Sequence, residues 1–312
     1  MHLGGLPRSP VVARTVDVDG PVGYLDFGGG AQAPVLLCLH GLGGSALNWM
    51  VVAPLLAGSH RLIALDFAGH GRSRAPGTRG IGRERAAVED DLRLIAALVD
   101  LAGGRVVLAG HSMGGVLGLL YARRFPHAVS RLVLVSPVVS RPTWPIDPVL
   151  ALKLATLRFP GVRRVVARTV ARRTPEEQVR FELSRATPHL ARIPQDFVEA
   201  SVREVAGIRC RAGDASRGQE AQWNAMLGII GLLVRARAYT HLLRTLEVPV
   251  LWLHGEDDPL MPVQWARAAA AARPDWCFHT RAGVGHLPHI EDASWVAADA
   301  AVVGSGHVLI SS

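Results

Sequence analysis

The stretch GHSMGG, residues 110–115, places a serine where an apolar run ends and a helix-forming segment begins. RVVLA precedes it and VLGLLYARRF follows it, so the pattern predicts a tight turn between a strand and a helix. A Gly-x-Ser-x-Gly turn strains the serine backbone and lifts its hydroxyl clear of the sheet. Ser112 is therefore a candidate nucleophile, and we expect the main-chain N–H of Met113 to point toward an oxyanion formed beside it.

A serine hydroxyl becomes a strong nucleophile beside a general base, and that base needs a carboxylate to fix its tautomer. The segment HGEDDPLMP supplies Asp257 and Asp258 after one strand-like run, and AGVGHLPH supplies His286 and His289 after the next. Each is ordinary by itself, because Asp-Pro turns and loop histidines are common. The order serine, aspartate, histidine, each after its own strand, predicts a Ser-His-Asp site at one edge of a sheet.

The remaining pattern predicts the elements that would position this site. Short runs rich in β-branched residues alternate with helix-period segments, and from residue 35 onward the runs are almost wholly apolar. This alternation predicts an α/β fold, a doubly wound and mostly parallel sheet. The predicted strands are 11–18, 22–27, 35–41, 61–67, 105–110, 131–137, 249–255 and 276–283.

The alternation breaks between residues 138 and 245, where only helical patterns and prolines occur. Thr174 and Glu177 form a capping-box pattern that predicts the start of one helix. An all-helical insertion between strands 6 and 7 would lie over the carboxyl edge of the sheet, where such folds bind ligands. We therefore expect an α/β core domain of residues 1–137 and 246–312, with residues 138–245 as a helical cap.

The excess positive charge of the chain lies in this cap. The formal net charge of the 312 residues is +8, yet residues 138–245 alone hold 18 Lys and Arg against 9 Asp and Glu. No nucleic-acid-binding pattern accompanies the arginines, so we expect a solvated face and no nucleic-acid partner. An anionic substrate or a membrane surface is the second interpretation.

The cysteines and the apolar runs of the sequence indicate where in the cell the protein is located. Three widely spaced cysteines outside any metal-ligand pattern favour a reduced, cytoplasmic protein. The N-terminal segment lacks the apolar core of a signal peptide. The longest apolar run, 225–234, is about half a bilayer span and ends at Arg235, so we expect no stable membrane insertion.

Four motifs together resemble the cap-bearing serine hydrolases of the α/β-hydrolase superfamily. HGLGGS is similar to the family's oxyanion loop, which implies that the N–H of Leu42 is the second oxyanion donor. DFAGHGRS is similar to a structural loop of the family. EDDPLMP implies that Asp258 is the acid, with Asp257 as the alternative, and GVGH implies that His286 is the base.

The resemblance covers residues 20–137 and 246–300 and implies a carboxylesterase-like enzyme for small acyl substrates, without metal or organic cofactor. A C–C bond hydrolase and a cofactor-free perhydrolase use the same residues and remain open. A serine nucleophile disfavours the haloalkane dehalogenases and epoxide hydrolases, which use aspartate. The oligomeric state is not predicted.

The resemblance also assigns lesser roles. Histidines at strand ends should hydrogen-bond loops, His289 should open the last helix, and the tail after Ala301 does not resemble the family's usual final helix. The loop histidines are His40, His70, His111 and His254. Apart from the resemblance, six apolar residues of the cap are candidates for an acyl-pocket wall, although such residues are more often plain core residues: Trp144, Phe159, Trp223, Met226, Leu227 and Ile230.

Two alternatives from other classes remain. Gly41, Gly43 and Ala46, with Asp66 twenty residues after Ala46, also fit a dinucleotide-binding fingerprint. His40 before the turn and the Gly-His-Gly loop after Asp66 count against it, and it leaves the Ser-His-Asp set unexplained. A ligand-binding protein of the same fold without hydrolysis is the other alternative, since a fold does not fix a function.

Overall fold

The computed structural model of the chain describes residues 11–73, 84–140, 156, 159–210 and 212–304. Within these residues eight strands form one sheet, and each overlaps a predicted strand. The strands are β1 Val12–Asp17, β2 Pro21–Gly28, β3 Val35–Leu39, β4 Arg61–Leu65, β5 Val106–His111, β6 Val129–Val135, β7 Val250–Gly255 and β8 Cys277–Arg281.

The spatial order of the strands is β1-β2-β4-β3-β5-β6-β7-β8. β2 is antiparallel to both of its neighbours, whereas the pairs from β4 across to β8 are all parallel. The predicted α/β fold with a mostly parallel sheet is therefore confirmed.

Helices cover both faces of this sheet. Short 3-10 turns occur at Ala46–Trp49, Pro126–Ala128 and Leu190–Arg192. The α-helices that the structure describes are α1 Ala53–Leu56, α2 Glu84–Leu101, α3 Met113–Arg124, α4 Pro160–Ala171, α5 Pro175–Ala186, α6 Gln195–Cys210, α7 Ala212–Leu233, α8 Ala236–Arg244, α9 Val263–Ala270, α10 Pro288–Glu291 and α11 Ala293–Gly304.

The strands are nearly all apolar because the sheet is buried on both faces. Along β6, Leu132 and Leu134 pack into the apolar cluster on one face, and Val133 and Val135 pack into the cluster on the other. Alternate side chains of a strand point to opposite faces, so a strand covered on both sides needs apolar residues at every position.

Helices α4 to α8, here called the cap helices, lie between β6 and β7 in the chain. The capping box predicted at the start of α5 is present, since Thr174 and Glu177 each accept the other's main-chain N–H. Helices α7 and α8 share an apolar cluster with β5 and β6, whereas α5 and α6 form a separate one with Leu287 and Ile290. Among the cap helices, α7 and α8 are thus joined to the sheet, and α5 and α6 are joined to the segment after β8.

No single helix among the described residues is long and apolar enough to cross a bilayer. Gln219–Leu233 and Ala236–Arg244 meet the length and composition only as a pair, with an 84° bend between them. The last helix continues to Gly304, past Ala301, after which the sequence does not resemble the family's usual final helix, and the rest of that tail lies outside the described residues.

Candidate active site

Ser112 lies between the last residue of β5 and the first residue of α3, with a φ of 51° and a ψ of −115°. A positive φ strains a residue with a side chain by on the order of 1–3 kcal/mol. The turn also needs glycines, since a Cβ on Gly110 would lie 2.4 Å from the carbonyl oxygen of Gly114. A Cβ on Gly114 would lie 2.5 Å from the carbonyl oxygen of Leu39. The Gly-x-Ser-x-Gly pattern is thus the sequence that permits this turn.

His286 forms a bridge between Ser112 and Asp258. Its Nε2 lies 2.9 Å from Ser112 Oγ, and its Nδ1 lies 2.7 Å from Asp258 Oδ2. An ionised carboxylate can only accept, so Nδ1 carries the proton and Nε2 is free to accept the serine hydroxyl. Asp258 and His286 are both buried, which strengthens these two hydrogen bonds relative to bonds in water.

The structure distinguishes the two neighbouring aspartates. Asp258 turns its second oxygen, Oδ1, toward the main-chain N–H groups of residues 260 and 261, at 2.9 and 2.8 Å. Asp257 is directed elsewhere, and its Oδ2 lies 2.7 Å from Nε2 of His189 on the cap side. Asp258 is therefore the aspartate that meets His286, as the motif EDDPLMP implied.

The parallel strands bring the three side chains together. Ser112 follows β5, Asp258 follows β7, and His286 follows β8. β6 lies between β5 and β7 and pairs with both, with His111 opposite Val135 and Val135 opposite Leu253. The carboxyl ends of these strands are therefore level at one edge of the sheet.

Leu42 and Met113 offer main-chain donors beside the serine. Met113 is the first residue of α3, so its N–H has no acceptor within that helix. The N–H of Leu42 has no acceptor in the described part of the chain, and both residues line the cavity that contains Ser112. The loop that carries Leu42 is held from the cap, since the hydroxyl of Ser45 donates to Glu204 Oε2 of α6 at 2.5 Å.

The buried histidines at the strand ends hydrogen-bond loops, as predicted. His40 Nδ1 donates to the carbonyl of Gly41 at 2.7 Å, and its Nε2 accepts the N–H of Phe67 at 3.0 Å. His70 Nε2 accepts the N–H of Gly43 at 3.4 Å. Burial lowers the pKa of His40 well below its usual value and that of His70 to about 4. Both rings are therefore neutral and fix the loop that follows β3.

His289 does not open the last helix, contrary to the prediction. It lies within the short helix α10, and α11 begins only at Ala293. Its ring packs between Trp49 and His111, with centroid distances of 4.8 and 4.6 Å. Neither ring nitrogen has a hydrogen-bond partner among the described residues, and burial lowers the pKa of His289 to about 3.

The alternative dinucleotide fingerprint is not supported by the surroundings of Asp66. Its carboxylate is fully buried and accepts the N–H groups of Ala46 and Arg72, at 2.7 and 2.9 Å, so it is not directed toward a ligand. Burial raises the pKa of this carboxyl to about 7. The glycine loop leads into the single 3-10 turn Ala46–Trp49, whereas a pyrophosphate site needs a full helix N-terminus.

No metal-binding cluster of three or more His, Cys, Asp or Glu occurs among the residues that the structure describes.

A cavity of about 610 Å³ extends from Ser112 toward the cap helices α5, α6 and α7. Its wall is mostly apolar, with Glu182, Arg185 and Glu204 as its charged side chains among the described residues. Of the predicted wall residues, Trp223, Met226 and Ile230 line the cavity. Leu227 is buried away from it, and Phe159 is 63% exposed and does not line it. Trp144 lies outside the described residues.

Sequence reasoning missed one buried acid at this site, Glu291. Its two oxygens accept the N–H groups of Gly285 and Leu287, which flank the imidazole-bearing residue. A signal was present, because an acid in the first turn of a helix that begins with Pro288 commonly reaches back to preceding main-chain donors.

A family model described as alpha/beta hydrolase fold matches residues 34–293. This span is most of the chain, so the protein belongs to the alpha/beta hydrolase family. The predicted membership in the α/β-hydrolase superfamily is thereby confirmed.

The similarity to individual proteins is lower in identity or covers only part of the chain. The chain is 29% identical over 272 residues to an uncharacterized protein of Mycobacterium tuberculosis, covering 84% of this chain and 72% of that protein. It is 42% identical over 113 residues to the 2-hydroxy-6-oxo-2,4-heptadienoate hydrolase of Pseudomonas putida, 35% of this chain and 39% of that enzyme. The solved structure of the 2-hydroxy-6-oxo-6-phenylhexa-2,4-dienoate hydrolase of Rhodococcus sp. strain RHA1 is similar with a TM-score of 0.70 and 22% identity, covering 94% of this chain and 98% of that chain.

The buried imidazole of His289 should make the fold sensitive to acid. Its pKa is about 3 in the folded protein and near 6.5 in an unfolded chain, so only the unfolded state binds the proton between these values. Stability is therefore lost as the pH falls below 6.5. Between pH 7.5 and pH 5 the wild type should lose about 2 kcal/mol more unfolding free energy than His289→Phe, measured by urea denaturation.

His127→Phe, at an exposed histidine, is the matched control and should keep the pH dependence of the wild type. An equal loss of stability in wild type and His289→Phe would contradict this assignment.

Proposed function

We propose that this protein is a serine hydrolase that cleaves a carboxylic ester or a related acyl bond through an acyl-enzyme. The observation that carries the proposal is the continuous path of hydrogen bonds from Ser112 Oγ through the imidazole of His286 to Asp258. A base aligned in this way takes the serine proton as the oxygen attacks a carbonyl carbon.

The steps follow from the positions of the groups. Ser112 attacks the carbonyl, and His286 accepts its proton and then gives it to the leaving alcohol. Asp258 holds the imidazole in one tautomer and stabilises its cation. The N–H groups of Leu42 and Met113 bind the oxyanion, and each such donor is worth about 3 kcal/mol in comparable sites. Water activated by His286 then releases the acid and restores the serine.

The cavity supports an acyl substrate of moderate size. Its apolar wall suits a hydrocarbon chain, and its volume lies within the usual range for small-molecule sites. None of the steps above draws on a metal or an organic cofactor. A cytoplasmic site of action belongs to the same proposal, supported by three cysteines that are all free thiols.

A second candidate is C–C bond hydrolysis, favoured by the 42% identical segment shared with the heptadienoate hydrolase. Substrates of that chemical class carry a carboxylate. The described cavity wall offers Glu182 and Glu204 against a single guanidinium, that of Arg185, so its charges favour a neutral acyl group. We therefore rank ester hydrolysis first.

A panel of p-nitrophenyl esters from acetate to palmitate, run beside a 2-hydroxy-6-oxo-dienoate, tests the proposal. We expect turnover of esters, and Ser112→Ala should lower kcat/KM by at least about 10⁴-fold because it removes the attacking oxygen. The variant should fold normally, as judged by circular dichroism. Ester turnover that persists near the wild-type rate in Ser112→Ala would refute the assignment, and turnover of the dienoate alone would select the second candidate.

The two adjacent aspartates provide a matched comparison for the acid. Asp258→Asn should lower kcat by about 10⁴-fold, because an amide leaves the imidazole in the wrong tautomer. Asp257→Asn changes an exposed carboxylate that pairs with His189, so its kcat should stay within about two-fold of wild type. The reverse order of effects would transfer the role to Asp257.

A further inference from the structure

Glu291 holds the loop that carries His286. Its Oε2 accepts the N–H of Gly285 at 2.8 Å, and its Oε1 accepts the N–H of Leu287 at 2.9 Å. The carboxylate is buried and satisfies the two main-chain donors on either side of the imidazole-bearing residue. Only a group with two acceptor oxygens can do this, since an amide would direct its NH₂ toward one of the two N–H groups.

The end of cap helix α5 is bonded to the same loop. Ala186, the last residue of α5, accepts the N–H of His286 at 2.9 Å, and the hydroxyl of Thr187 donates to Glu291 Oε2 at 2.6 Å. The packing is equally close, because a Cβ on Gly285 would lie 2.7 Å from Thr187 Oγ1. The end of α5 therefore holds the main chain of His286 at its N–H, while His111 Nε2 donates to its carbonyl at 2.8 Å from the other side of the loop.

The same helix forms part of the cavity wall. Val179 and Leu183 of α5 line the cavity, and they share an apolar cluster with Leu287 and Ile290, which follow the imidazole in the chain. A ligand that fills the cavity thus packs against a helix whose last residues hold the base.

We propose that Thr187 and Glu291 are positioning residues through which occupancy of the cap cavity fixes His286 for proton transfer. The inference rests on the hydrolase function proposed above. A long acyl chain packs against α5 and holds its end in place, whereas a short chain leaves α5 free to move. Part of the binding energy of the chain is therefore realised in the transition state, so a longer acyl group raises kcat as well as lowering KM.

The variant Thr187→Val tests this link, since it removes the hydroxyl and keeps the shape of the side chain. In the wild type, kcat should rise from acetyl to octanoyl esters. In Thr187→Val the octanoyl kcat should fall about ten-fold, in line with the rate cost of sub-ångström misplacement, while KM still decreases with acyl length. Thr187→Ser keeps the hydroxyl and should restore the rise in kcat.

Ser130→Ala is the matched control. The hydroxyl of Ser130 also joins two elements, donating to the carbonyl of Val106 at 2.9 Å, but it lies in β6 away from the loop. Its loss should lower the unfolding temperature without changing the dependence of kcat on acyl length.

A second measurement does not depend on turnover. Hydrogen exchange of the Gly285 and Leu287 amides, and the downfield proton resonance of the His286–Asp258 hydrogen bond, report the loop directly. Exchange should accelerate and the resonance should broaden in Thr187→Val, but not in Ser130→Ala or Thr187→Ser.

The proposal is overturned if Thr187→Val loses only stability, with exchange, resonance and the acyl-length dependence of kcat all as in wild type. It is also overturned if kcat falls while exchange at both amides is unchanged. Absence of any ester turnover in the wild type would instead refute the proposed function, and the exchange data would then still decide whether Thr187 holds the loop.

Discussion

The imidazole of His286 joins three segments that are far apart in the chain, and the surrounding structure is organised around its two hydrogen bonds. They reach Ser112 after β5 and Asp258 after β7, at 2.9 and 2.7 Å. Both require that neighbouring parallel strands end at one level, because a shift of one residue moves a side chain by about 3.3 Å. The apolar sheet, buried on both faces, is what holds the strand ends in place.

Polar groups without a direct part in the proposed chemistry hold the loops around this imidazole. Neutral histidines and the buried carboxylates of Asp66 and Glu291 accept or donate main-chain hydrogen bonds at the ends of β3, β4 and β8. Such groups are costly to bury unless they are bonded, so they specify one loop geometry instead of adding general stability. Burial lowers the pKa values of His40, His70 and His289, and this makes the fold acid-sensitive.

Much of this arrangement is predictable from local sequence. The strands are evident because burial on both faces forces continuous apolar runs, and the serine turn is evident because only glycine fits beside it. Local pattern alone does not show whether Asp257 or Asp258 meets the imidazole, since both lie in one turn and only the directions of their side chains differ. The contact of Thr187 with Glu291 joins residues 104 positions apart, and no local period encodes it. The prediction for His289 was wrong because the helix breaks at Asp292, with a φ of −142° and a ψ of 65°, and the Oδ1 of Asp292 accepts the N–H of Trp295 at the start of α11.

The most direct measurement is the site of covalent modification by a fluorophosphonate, read by mass spectrometry after digestion. Such a reagent reacts with a serine only where a neighbouring base removes its proton. We expect the added mass on the peptide that contains Ser112 in the wild type, and loss of labelling in His286→Ala even though the serine is still present. Labelling of a different serine, or undiminished labelling of Ser112 in His286→Ala, would show that the two side chains do not work together.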